Sequence, residues 1–360
     1  MGYNFTDSNY FRSMSVAKEM FSRKRVLPLL LIILLLIVYY ARKQKPLVEL
    51  HGQTFGTIAY TIKYKDEEQR DFKASIDSLL DIFNNAVSHY RPNSEISKFN
   101  KDSTVEFELP YLYPVLETSM EIYKTSNGAF NPAVMPLVNA WGFGPDKSME
   151  PDSALIDSLR EFTQFDLVKF DSTHAWKEDK RVQLDFSAVA KGQGVDLVMN
   201  FLVSKGIENV FVEIGGEVNA RGTNSHAEPW VVGILDPASD VMNQSYIATV
   251  DLENMSVATS ANNFNYVIRD GVRYSHTIDP ATGYPAHNPI LSASVFAKDC
   301  MTADAYATAF MVMGHEKAQK IVESHPELEA YLIYSTVDGK TTNYISNGLK
   351  NKLQLISNDN

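Results

Sequence analysis

The chain has 360 residues, 44% apolar and 21% charged, which is the composition of a folded globular protein with room for one large domain or about two average ones. A formal charge of −11, with no long Lys/Arg run beyond the first fifty residues, excludes the basic footprint of a nucleic-acid binder. One cysteine, Cys300, excludes an intrachain disulfide framework, a cysteine-rich zinc site and an iron–sulfur cluster held by this chain alone.

Residues 26–41 (VLPLLLIILLLIVYYA) are uncharged and flanked by Arg23-Lys24-Arg25 and by Arg42, Lys43 and Lys45. The run falls a little short of the ~20 residues that span a bilayer comfortably, but Tyr39 and Tyr40 suit the interface and the flanking cations can snorkel. A cleaved signal peptide is the rival reading; the run ends Tyr-Tyr-Ala-Arg-Lys without a small residue at −3 of that Ala, which favours an uncleaved anchor. The expected organisation is a cytoplasmic tail (1–25), a transmembrane anchor (26–41) and an external domain (46–356).

Within that domain, 54–64 alternates like a first strand, and Phe72, Ile76, Leu79, Leu80, Phe83 and Val87 then fall at helical spacing. A second helix is predicted over 110–126, with Pro110 suited to its first turn and Gly128 just beyond its end. Loops dominate 142–152. The middle reads as a β-loop-α-β unit: strand 182–186, loop 187–194, a helix over 195–204 stopped by Gly206, and strand 209–215. Further strands are predicted at 229–235, 245–252, 265–271, 273–278, 290–297 and 330–336, with a helix over 301–313. Strands outnumber helices and often run consecutively. The expected fold is therefore α+β, with mixed, largely antiparallel sheets and packed helices, rather than a doubly wound one.

No GxxxxGK(S/T), HExxH, GxSxG or full GxGxxG is present, which disfavours the common nucleotide folds. An acidic chain needs a local device to draw in a phosphate, such as a metal ion or aligned N–H groups. The segment 185–194 (DFSAVAKGQG), placed before a helix N-terminus and carrying Lys191, is either a phosphate cradle or a glycine-containing turn with a solvated lysine. Gly215-Gly216-Glu217 forms a second tight turn. Asp304 and Thr308 stand four apart on one helix face, positioned either to share a hard cation such as Mg²⁺ or to serve a helix dipole and a core. His276 enters a Pro/Gly turn as either a general base or a turn-stabilising donor. Cys300, beside an apolar helix, reads as a small core residue.

Taken in order, FGT (55–57), SHYRPNSEISKFN (88–100), NGAFNPAVMPLVNAWGFG (127–144), LDFSAVAKGQGVD (184–196), VEIGGEV (212–218), SVATSANNF (256–264), RYSHTIDPATGYPA (273–286) and ADAYATAFMVMG (303–314) resemble the ApbE family, the FAD:protein FMN transferases. The resemblance implies that Phe55, Tyr90, Ala129, Phe130, Asn131, Asp185, Lys191 and Ile278 line an FAD pocket. It also implies that Mg²⁺ is held by Asp304, Thr308 and the backbone carbonyl of Ala188, and that His276 is the base. Three departures stand out: Phe55 replaces a common Met, Asn131 a common Asp, and residues 260–264 (SANNF) the frequent Ser-Gly-x-Tyr. The implied activity is Mg²⁺-dependent transfer of FMN from FAD to a protein hydroxyl with release of AMP. An FAD pyrophosphatase and a non-catalytic, membrane-anchored FAD-binding protein are the alternatives. The implied partners are FAD and a flavin-acceptor protein, a subunit of a membrane redox complex; the implied location is the bacterial inner membrane, with the catalytic domain on the periplasmic side.

Overall fold

The computed structural model describes residues 27–28, 30–35, 46–144, 151–239, 243–262, 266–269 and 272–356. Residues 27–28 and 30–35 are helical and exposed, while the rest of the expected anchor and the tail 1–25 lie outside the described residues. Among the described residues no helix is long and apolar enough to cross a membrane. From Leu47 onward the chain forms one compact unit.

β1 (Leu47–Thr54) and β2 (Ile58–Lys65) make a hairpin. The alternation over 54–64 spans its turn, where Phe55 (φ 48°) and Gly56 (φ 88°) reverse the chain. α1 (Lys73–Val87) buries Ile76, Leu80, Phe83 and Val87, the stripe its spacing predicts. α2 (Glu95–Lys101) is too short for a clear period, and it starts where the Ser94 hydroxyl accepts the Ser97 N–H at 3.1 Å. β3 (Thr104–Glu106) leads to α3 (Leu112–Thr125), α4 (Met135–Trp141) and α5 (Ser153–Arg160), and β4 (Val168–Phe170) and β5 (His174–Lys177) close a small sheet with β3.

Segment 182–186 corrects the predicted β-loop-α-β unit. Val182, Leu184 and Phe186 are buried in alternation, yet they join no ladder. The side chain of Asn100 takes the place of a partner strand: its Oδ1 accepts the Leu184 N–H at 2.7 Å and its Nδ2 donates to the Leu184 carbonyl at 2.9 Å. The Asp185 N–H donates to the Pro132 carbonyl at 2.8 Å. The apolar alternation predicts the burial, but a side chain and a loop carbonyl, not a neighbouring strand, satisfy the backbone. α6 (Ala190–Ser204) also begins before the predicted residue 195, so Lys191, Gly192 and Gly194 lie in its first turns.

β6 (Val210–Ile214) and β7 (Glu217–Arg221) form a two-residue hairpin. Gly215 (φ 61°) and Gly216 (φ 99°) supply the two positive φ values that such a turn needs to match strand twist. Then come β8 (Trp230–Leu235), β9 (Tyr246–Leu252), β10 (Met255–Ala261), β11 (Tyr266–Arg269), β12 (Val272–Ser275) and β13 (Ile290–Ala297). α7 (Cys300–Met313), α8 (His315–Ser324), β14 (Glu329–Ser335), β15 (Thr341–Ile345) and β16 (Leu353–Leu355) complete the chain.

The main sheet has eight strands in the order β1-β2-β6-β7-β10-β13-β14-β15. Every strand pairing among the described residues is antiparallel, so the sheets are not mixed. The physical reason is the irregular 182–186 segment: without a strand before α6 there is no crossover to a parallel neighbour. Both faces of the main sheet are covered. Ala293, Val295 and Ala297 of β13, with Ala330 and Leu332 of β14, point to the helical layer and α7; Phe296, Tyr331 and Ile333 point to the three-stranded sheet β16-β9-β8. Burial on both faces explains why β13 reads as a nearly continuous run of apolar and small residues.

Candidate active site

A cleft of about 1140 Å³ is lined from both layers: by the start of α6 and one face of α7, by the β6–β7 turn, and by β8 and β9 of the small sheet. Tyr90, Ala129, Phe130, Asn131, Asp185, Ala188, Lys191, His276, Ile278, Asp304 and Thr308 all line it. Phe55 is not among the lining residues. Its ring packs edge-on against Phe83 with centroids 5.9 Å apart, and it lies against Gly194, where an added Cβ would be 3.2 Å away. The hairpin turn that gives Phe55 its positive φ thus places its ring beside α1 and α6 in the core.

The floor of the cleft is a buried charge cluster. Lys191 Nζ donates to Glu217 Oε1, and Asp304 Oδ2 accepts the Gly192 N–H at 3.0 Å. Glu217 is 2% exposed, and its Oε2 has no hydrogen-bond partner among the described residues. Burial acts to lower the Lys191 pKa, but the Glu217 and Asp304 carboxylates more than reverse it and hold the ammonium protonated. Burial raises both Glu217 and Asp304 above the usual carboxylate range, while Lys191 pulls each back down. Glu217 was legible in the sequence only as a turn residue; the hairpin register Ile214↔Glu217 sets it against Lys191.

Most of the N–H groups at the start of α6 are already paired. The Val189 and Ala190 N–H groups both donate to the Phe186 carbonyl, at 3.0 and 2.8 Å, and the Gly192 N–H is taken by Asp304. A phosphate in the cleft therefore meets charge chiefly from Lys191 and from any bound cation. Magnesium fits these residues. Glu217 Oε2 is buried without a hydrogen-bond partner among the described residues, burial is what pushes the two carboxyl groups up, and the lining groups of Asp304, Thr308 and Ala188 offer only hard oxygen. Thr308 Oγ1 also lies 3.3 Å from Ser260 Oγ, within the 260–264 segment that departs from the family pattern. No group of three or more His, Cys, Asp or Glu side chains among the described residues could hold a metal, so a cation here would need the rest of its shell from substrate phosphate and water.

His276 and Ile278 sit on a loop pinned from below. The Trp141 indole donates to the Gly283 carbonyl at 2.9 Å, Ile278 bridges to Pro285, and Ile278 packs with Leu137, Trp141 and Ile156. Phe143 meets the His276 ring edge-on at 6.3 Å. Asn131 braces the backbone on two sides, since its Oδ1 accepts the Ala133 N–H at 2.9 Å and its Nδ2 donates to the Thr163 carbonyl at 2.7 Å. A carboxylate there has no donor for Thr163, which accounts for the amide at this position. Sequence reasoning also passed over His89, whose buried ring lies 3.3 Å from Asp185 Oδ1; nothing in the local pattern separates it from an ordinary loop histidine.

A family model described as the ApbE family matches residues 55–332. The chain belongs to the ApbE family. It is 36% identical over 309 residues to an FAD:protein FMN transferase of Vibrio cholerae, covering 82% of this chain and 90% of the relative. It is 33% identical over 315 residues to an FAD:protein FMN transferase of Haemophilus influenzae, covering 84% of this chain and 90% of the relative. Its fold superimposes on the flavin transferase ApbE from Vibrio cholerae with a TM-score of 0.75 and 34% identity, over 85% of this chain and 99% of that one.

Proposed function

We propose that this chain transfers the FMN half of FAD to a Ser or Thr hydroxyl of an acceptor protein and releases AMP. One observation carries the reading: in a fold shared with flavin transferases, the cleft ends on Lys191, Glu217 and Asp304, a buried cluster of one ammonium and two carboxyl groups suited to a cation and its phosphate partner. Tyr90, Ala129, Phe130, Asp185 and Ile278 line the space for FAD. Phe55, outside the lining, acts by supporting Gly194 and the start of α6.

Asp304, Thr308 and the Ala188 carbonyl would hold Mg²⁺, which when bound neutralises pyrophosphate charge. Lys191, held by Glu217, steadies the phosphate oxygens. The acceptor oxygen forms a bond to the FMN phosphorus as the bond from that phosphorus to AMP breaks; His276 takes the hydroxyl proton and AMP carries away the electron pair. The loop that carries His276 is anchored at Gly283 by Trp141, which supports this role. The uncharged run 26–41, with basic residues on both sides, supports a membrane anchor that holds the domain on the periplasmic side, where the acceptor is a subunit of a membrane redox complex.

The test incubates the full chain in detergent with FAD, Mg²⁺ and a flavinylation-domain protein, and reads the intact mass of that protein. The expected result is a gain of one FMN that is lost with EDTA and falls at least ~100-fold in Asp304→Asn, beyond the cost of losing a group that only supports a metal ligand. AMP and free FMN without a mass gain would replace the transferase with a pyrophosphatase. FAD binding without turnover would leave a binding protein.

A further inference from the structure

β8 is the terminal strand of the small sheet, whose order is β16-β9-β8. Val231, Val232, Gly233 and Leu235 of this strand line the cleft. Successive side chains of a strand point to opposite faces: Trp230, Val232 and Ile234 face the core, and Val231, Gly233 and Leu235 face the cleft, while Val232 borders it as well, so the cleft reaches the strand's edge and backbone in addition to this face. Among the described residues the backbone of 231–235 hydrogen-bonds only within the β8–β9 ladder. The sequence Trp230–Leu235 (WVVGIL) carries no charge and no proline, the usual devices that keep an edge from pairing. Val231 is 55% exposed, and Tyr246 of β9, 53% exposed, lies over Gly233, where an added Cβ would meet its ring at 2.5 Å. None of the residues that the family resemblance gives to FAD lies on β8 or β9.

Besides FAD, the transferase reading gives a cleft bordered by an uncharged edge, open among the described residues, one further occupant. A transferase acting on a protein must bring a backbone-borne hydroxyl to the same cleft that holds Lys191 and Asp304. An extended segment satisfies the open N–H and C=O groups of an edge strand, and its alternate side chains find apolar support there, as in other strand-addition complexes. We propose that the free edge of β8 takes the acceptor protein's Ser/Thr-bearing segment as an added strand, with Val231 and Tyr246 packing its side chains. This rests on the transferase reading.

The experiment uses the full chain, the flavinylation-domain acceptor above, and a synthetic peptide of that acceptor's modified segment. Val231→Lys, at an exposed position, should raise the KM for acceptor at least about tenfold, the size of losing ~1.4 kcal/mol of docking, and Val231→Thr should restore most of it. The affinity for FAD, read from flavin fluorescence, should be unchanged. With the unsubstituted enzyme, N-methylation of successive backbone nitrogens in the peptide should weaken transfer at every second position, because only alternate N–H groups point at the edge. An unchanged acceptor KM in Val231→Lys, a non-alternating methylation pattern, or weaker FAD binding would each overturn the proposal. If the unsubstituted enzyme labels no acceptor at all, the transferase reading itself fails and this inference falls with it.

Discussion

The contact between α6 and α7 can be tested at one atom. Gly192 packs so closely on α7 that an added Cβ would lie 2.3 Å from the Cys300 carbonyl oxygen, 2.6 Å from its carbon and 2.9 Å from Asp304 Cβ. The first two neighbours are backbone, so no rotamer change relieves them. Gly192→Ala must push α6 away from α7 or bend the first turn of one of them. In an exposed helix the same change would gain about 1 kcal/mol of helix propensity. Overpacking of this kind costs roughly 1–3 kcal/mol or more, and the shift also stretches the 3.0 Å bond from the Gly192 N–H to Asp304. Because two of the three clashes are with backbone, the cost lies at the upper end of that range, and the expected net effect is a loss of about 2 kcal/mol in urea denaturation, with a larger loss of transfer, because Asp304 moves with the backbone that holds it. A Gly192→Ala protein as stable as the parent within about 0.5 kcal/mol, with full transfer activity, would refute the claim that this glycine sets the distance between the two helices.

Asn131→Asp should destabilise the fold by about 1–3 kcal/mol in urea, because it puts a carboxylate oxygen where Nδ2 now donates to the Thr163 carbonyl; unchanged stability would remove the structural explanation for the amide. Lys177, 5% exposed, donates to the Val182 carbonyl at 2.7 Å and lies over the Phe99 ring, and burial lowers its pKa to about 8. Below pH 8 folded and unfolded chains both carry the proton. Between pH 8 and about 10.4, the ordinary lysine value, the folded chain releases it first, so this group's contribution to stability rises with pH across that window. Denaturation of the parent and of Lys177→Met from pH 7 to 10.5 should show the parent gaining up to about 3 kcal/mol relative to the variant, and a difference flat in pH would contradict this burial effect.

Elements with a strong period were legible. α1 appears where apolar spacing placed it, α3 begins at Leu112 just after the predicted Pro110 start and ends before Gly128, α7 matches its predicted span to within a residue, and β13 matches its run of 290–297 residue for residue. β7 (EVNAR) and β10 (MSVATSA) were missed because polar and small residues occupy positions whose burial comes from neighbouring strands, as with Ser256 at 0% exposure. The 182–186 segment misled in the opposite direction, since alternating burial does not reveal whether a strand or an asparagine side chain satisfies the backbone.

Local chain chemistry alone determined which residues carry acid, base and hydroxyl groups, and it placed Asp304 and Thr308 on one helix face, because the helical repeat depends only on neighbours in sequence. Only the tertiary structure decided that Glu217 meets Lys191, that Gly192 abuts the Cys300 carbonyl, that Phe55 turns into the core and that the edge of β8 opens on the cleft. Each of these pairs residues far apart in the chain through sheet register and close packing, and burial then sets the charge state of the groups it encloses.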